Sequence, residues 1–156
     1  MPNGNLWFYS TVIYHKENKL KKILIISLIL LVSLHADLFE DGLDASLSGK
    51  KYKAMDIWTK SCSYGDLRSC STLASSYYTI GIKQKDQEQI NKALYIWKNS
   101  CKKGLGTDCS SVGALYYYGH GISINKKEAK KFYSLACEYN NLEGCQHYKK
   151  LTEEGF

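Results

Sequence analysis

The stretch Ala93 to Cys109, ALYIWKNSCKKGLGTDC, decides how the chain reads. A near-copy lies upstream at Ala54 to Cys70 (AMDIWTKSCSYGDLRSC), and another lies downstream at Ala129 to Cys145 (AKKFYSLACEYNNLEGC). In each copy an alanine is followed, after two residues, by a bulky pair: Ile57-Trp58, Ile96-Trp97 or Phe132-Tyr133. Three residues, a cysteine, seven residues and a second cysteine complete the unit. The alanines are 39 and 36 residues apart. A repeat of that length marks stacked helical units, each burying its apolar face against its neighbours.

The 156 residues fit one domain. With 44% hydrophobic and 23% charged residues, the chain reads as neither disordered nor a multi-pass membrane protein. Four of the 21 basic residues and one of the 15 acids precede Asp37, leaving 17 and 14 in the remainder. That excess is small and dispersed, which argues against a nucleic-acid partner.

Lys19 to Lys22 lead into a 12-residue apolar run, Ile23 to Leu34, and then His35-Ala36. A basic start, a short apolar run and a small final residue make a secretory signal peptide, 1–36, cleaved after Ala36. The run falls well short of the roughly 20 residues a spanning helix needs. Residues 1–19 form a long aromatic preface that reads as a start assigned too far upstream, with translation beginning near Leu20. The competing reading is an uncleaved membrane anchor. No cysteine follows the run, which argues against a lipid anchor. The exported part, 37–156, is expected in the periplasm or outside the cell, with no membrane association once the signal is removed.

All six cysteines lie in that part: Cys62/Cys70, Cys101/Cys109 and Cys137/Cys145. An even count in an oxidising compartment points to disulfides, and one pair per repeat favours local pairing among the possible connectivities. Zinc fits poorly, because ligand pairs usually sit about two to four residues apart with histidines nearby. Only His120 and His147 follow the signal segment, so no metal or other cofactor is expected.

Apolar spacing predicts helices over 37–47, 51–62, 67–79, 86–102, 108–118, 126–139 and 142–153. In the second, Tyr52, Ala54, Met55, Trp58 and Cys62 fall on one side. Asp66 is the expected N-cap of the third. Short turns between these seven make antiparallel neighbours. Counting from each second cysteine, Ala74 and Gly113 let a neighbour approach, and Tyr77 and Tyr116 fill the space beside it. Tyr148, Lys149 and Thr152 put polar groups at the docking positions of the last helix, so 142–156 reads as a terminal cap.

These residues resemble the Sel-one-like repeats, α/α units related to the tetratricopeptide class. Val112-Gly113-Ala114-Leu115-Tyr116-Tyr117-Tyr118-Gly119-His120-Gly121-Ile122, followed by Lys127-Glu128-Ala129, looks like that family's LGxxYxxGxGV...KA pattern. CEYNNLEGC and CKKGLGTDC look like its exported cysteine-rich branch, the Helicobacter cysteine-rich protein type. One repeat departs, with Ile80-Gly81-Ile82 in place of Gly-x-Gly and three extra residues before Ala93. The resemblance implies an all-α, α/α-solenoid: a right-handed superhelix of antiparallel pairs whose concave face holds a protein or peptide. It also implies, as an alternative, penicillin binding with weak β-lactamase activity, and so a β-lactam or cell-wall peptide as partner.

A serine β-lactamase needs a serine and a lysine three residues later, with further Ser-Asp-Asn and Lys-Thr-Gly elements. Ser48/Lys51, Ser100/Lys103 and Ser123/Lys126 have the first spacing. With 16 serines and 20 lysines, about two such pairs arise by accident, and neither companion motif is present. No catalytic residue is therefore assigned. The candidate binding surface is the outward side of the helices after Cys70 and Cys109. There Ser71, Ser75, Tyr78, Ser110, Ser111, Tyr117 and Tyr118 set small hydroxyls beside tyrosines, a mixture that gives contact area with adaptable hydrogen bonds.

Overall fold

The computed structural model describes residues 19–27 and 38–156, and the chain divides into two compact units, Met1–Asp37 and Leu38–Phe156. In the first unit residues 19–27 are helical, with Leu20, Ile23, Leu24, Ile25 and Ile26 exposed. The expected upstream start, the second half of the apolar run and the cleavage site lie outside the described residues. No helix among the described residues is long and apolar enough to cross a membrane.

The second unit is an α/α-solenoid of seven helices: α1 (38–47), α2 (Lys51–Ser63), α3 (Leu67–Gln84), α4 (Gln87–Lys102), α5 (Gly106–Tyr118), α6 (Lys126–Glu138) and α7 (Leu142–Glu153). Consecutive helices pack on one another along the chain, and α5 also touches α7. Local chemistry sets most starts. Asp66, Asp86, Asn125 and Asn141 cap α3, α4, α6 and α7 by accepting from amides of the first turn, which have no partner inside the helix. Leu105 stands at the corresponding position of α5 and offers no side-chain cap.

Two boundaries differ from expectation. The third helix runs past Thr79 to Gln84, so the Ile80-Gly81-Ile82 segment is helical. Ile80 stays buried, and a Cβ at Gly81 would meet the Asp86 carbonyl oxygen at 2.9 Å, so the start of α4 presses on the bare backbone. Lys85 then turns the chain in the left-handed region, at φ 56°, with its amide donating to the Gly81 carbonyl. The extra residues of this repeat lengthen the helix and leave the stack intact. The fifth helix begins at Gly106, ahead of Asp108, because the tight approach of Tyr139 and Asn141 to Gly106 holds that turn in place.

The repeat alanines Ala54, Ala93 and Ala129 are all fully buried. One turn further on, Trp58, Trp97 and Tyr133 occupy equivalent sites, each 5% exposed or less. Trp58 lies against Gly42 of α1, Trp97 shares a core with Ala74 of α3, and a Cβ on Gly113 of α5 would stand 2.9 Å from the Tyr133 ring. Each repeat thus presses one large ring into a small-residue notch of the helix before it. Tyr77 and Tyr116 pack beside these contacts, whereas Tyr52, expected on the inner side of α2, is 69% exposed.

Disulfides join Cys62 to Cys70, Cys101 to Cys109 and Cys137 to Cys145, with Cα separations of 4.7, 4.7 and 4.4 Å. Each closes the turn between two helices of one repeat, and no cysteine is free among the described residues.

Replacing Cys101 and Cys109 together by serine is expected to cost about 2–3 kcal/mol, the order given for short loops, read from urea unfolding of the non-reduced variant. Gly113→Ala drives a methyl into the Tyr133 ring and is expected to lower stability by about 1–3 kcal/mol through overpacking. The reverse change at the equivalent notch, Ala74→Gly, costs about 1 kcal/mol through helix propensity. A Gly113→Ala variant that melts with the parent protein would contradict the notch geometry.

Candidate functional site

The seven candidate residues do not form one surface. Ser71 of α3 donates to Asp108 Oδ1 of α5 at 2.6 Å, and Ser110 is 5% exposed, so both serve the interior. Ser111 donates to the Thr107 carbonyl of its own helix. Tyr78 lies 5.5 Å from the Trp97 ring, and burial raises its pKa. Ser75 and Tyr118 remain exposed, and Tyr117 is half-buried.

Ser75 opens into a groove of about 500 Å³ between α1, α2 and α3. One wall is a row of hydroxyls on α3: Thr72, Ser75, Ser76 and Thr79, at the spacing that places residues on one helical face. Each donates to the carbonyl four residues back, those of Arg68, Ser71, Thr72 and Ser75, at 2.9, 2.9, 3.0 and 2.8 Å. With its proton engaged, each oxygen keeps lone pairs for an incoming N–H. The partly exposed Leu43 adds apolar surface above the buried Trp58 ring, and Lys51 adds a cation at the edge.

Tyr117 belongs to a second cluster, on α5, α6 and α7. Its ring meets Tyr118 edge-on at 4.7 Å and Tyr133 at 6.5 Å, and His147 stacks on Tyr133 at 4.6 Å. Lys126 and Lys150 stand over the Tyr117 ring at 5.7 and 5.4 Å, as cations do on aromatic faces. A hydrogen bond with Tyr117 raises the Lys150 pKa. Tyr133 carries its hydroxyl into the interior without a partner, and burial pushes its pKa well up.

Between these regions lies a polar junction that sequence reasoning missed. In the first repeat Asp66 caps α3 and accepts from the Ser61 and Ser69 hydroxyls at 3.3 and 2.9 Å. Partial burial pushes its pKa up, but the Ser69 hydroxyl, the Arg68 amide and the Arg68 charge outweigh this and hold it below the usual range. In the second repeat Leu105 takes the capping position and the acid moves one turn inward, to Asp108, 1% exposed. Ser100, the counterpart of Ser61, and Ser71 both bond it, yet Oδ2 has no partner. Burial dominates and raises its pKa to about 6. The signal was present in the alignment of repeats, where Ser69, Asp108 and Gly144 each precede a second cysteine.

Ser100 is buried and engaged with Asp108, while Ser48 is exposed on a turn and Ser123 is exposed in the loop before α6. Among the described residues, no three His, Cys, Asp or Glu side chains gather as a metal site.

The folded state holds the Asp108 proton more tightly than the unfolded chain does. Stability from this group therefore rises as pH falls from above 6 toward 3.8 and is level below. The full range is up to about 3 kcal/mol, from a shift of about two units. Asp108→Asn is expected to remove this slope and to be the more stable form at pH 8. Urea unfolding of both proteins from pH 4 to 8 checks it, and parallel pH profiles would contradict the assignment.

No family model matches this sequence, and no curated protein is similar to it.

Proposed function

We propose that this chain is an exported Sel-one-like repeat protein that holds a protein or peptide partner against its concave helix face. The groove beside α3 is the observation that carries this reading. Its hydroxyl row offers acceptors at regular spacing along a shallow wall, suited to the N–H groups of an extended chain. Leu43 supplies the apolar contact that fixes a side chain, and Lys51 can meet a carbonyl or carboxylate. Small hydroxyls also keep the wall low, so a backbone can come close. Export is supported by the basic, apolar and small-residue order of residues 19–36 and by three intramolecular disulfides, which persist in oxidising compartments.

Display selection of random peptides on the full chain, expressed where disulfides form, tests the proposal. Enriched peptides should bind with micromolar constants and lose about tenfold, or roughly 1.4 kcal/mol, on Ser75→Arg, which fills the groove. Tyr52→Ser, on exposed surface elsewhere, should leave binding unchanged. Failure to enrich peptides, or equal binding by Ser75→Arg, would refute the groove. Turnover of a coloured cephalosporin would favour the alternative implied by resemblance, a penicillin-binding protein with weak hydrolase activity.

A further inference from the structure

In the interior of the solenoid each repeat presents a slot to the next helix. For the second repeat the slot is lined by Leu94, Val112 and Tyr116, and α6 fills it with Phe132, stacked on Tyr116 at 6.0 Å. Thirty-six residues on, the equivalent positions are Lys130, Tyr148 and Thr152, of which Tyr148 and Thr152 are exposed, and no helix among the described residues lies over them. A cavity of about 410 Å³ lies there, lined by Lys127, Lys130, Lys131, Ser134, Leu135 and Tyr148. Its chemistry is an apolar strip, Leu135 and Tyr148, under a row of lysines on one face of α6. Glu128 meets Lys131 only at 3.9 Å, and Lys127 makes no ion pair among the described residues. Phe156 lies against Lys126, and its carbonyl accepts from Lys130 at the edge of the slot, which leaves Lys127 and Lys131 as the less engaged cations of the row.

The slot is shaped for a helix and charged for an acidic one. At the other end of the same stack, α1 carries Glu40, Asp41 and Asp44 and no basic residue. Gly42 and Ala45 hold its inner side, which turns Glu40, Asp44 and Leu47 outward at helical spacing, Leu47 being 78% exposed. Lys50 and Lys53 flank Asp41 and Asp44 on one side, and the Glu40 edge is free of them.

We infer that the slot between α6 and α7 receives α1 of a second copy of this chain, with Glu40 and Asp44 against the lysine row and Leu47 against Leu135 and Tyr148. The two surfaces differ, so the contact is heterologous and joins copies head to tail. This inference does not rest on the peptide-binding proposal, whose groove lies elsewhere.

Sedimentation velocity of the full chain, expressed where disulfides form, tests it across a concentration series at low and high salt. The expected result is concentration-dependent association that weakens about tenfold from low to high salt, as screening of charge pairs requires. Lys127→Glu/Lys130→Glu/Lys131→Glu should abolish it, as should Glu40→Lys/Asp44→Lys. Mixing these two variants should restore it, because each then offers the other a complementary end. Lys130→Glu and Glu40→Lys alone serve if a multiple variant melts early. A monomer at every concentration, association that survives either reversal, or a mixture that stays monomeric would overturn the inference.

Discussion

The structure depends on one contact made three times, in which a large ring of each repeat enters a small-residue notch on the helix before it. Trp58 meets Gly42, Trp97 shares a core with Ala74, and Tyr133 meets Gly113. Burying a ring of this size contributes on the order of 2–3 kcal/mol, and only a glycine or alanine leaves room for it. Register between repeats follows from this fit, since a ring displaced by one turn would strike a larger side chain. The disulfides act within repeats, at the turns, and complement a contact that acts between them.

Replacing tryptophan by tyrosine in the last repeat changes what that contact demands. Trp58 gives its ring N–H to the Phe39 carbonyl at 3.3 Å, whereas Tyr133 brings a hydroxyl to a place with no acceptor. An unmet buried donor costs about 1–3 kcal/mol, and the parallel stack with His147 offsets part of that. Asp108 shows the same economy in the second repeat. A carboxylate that caps a helix at low cost in the first repeat becomes, one turn inward, a buried group with one oxygen unmet. It still ties three helices together through Ser71 and Ser100.

The candidate surface was only partly legible because helical spacing gives direction and omits neighbours. Counting from the cysteines placed Ser71 and Ser110 on an outward side, but once the repeats stack Ser71 meets Asp108 of α5 and Ser110 is buried. Ser75, farther along α3, clears the next repeat and stays open. Tyr117 and Tyr118 sit side by side in sequence yet differ in burial, because α7 packs over one and leaves the other.

The sequence alone determined the repeat, the seven helices and the pairing of cysteines, since period, apolar spacing and capping residues are local properties of the chain. It also marked Ala74 and Gly113, two of the three small residues that admit the rings, while Gly42 emerged only from the packing of α1 on Trp58. Tertiary structure decided which hydroxyls remain at the surface, where the Asp108 carboxylate finds its partners and how the Ile80-Gly81-Ile82 segment resolves. The Ser71–Asp108 bond joins residues 37 apart, and even the Gly81 contact with Asp86 and Ile90 needs the next helix in place, so these meetings are fixed by packing and not by order along the chain.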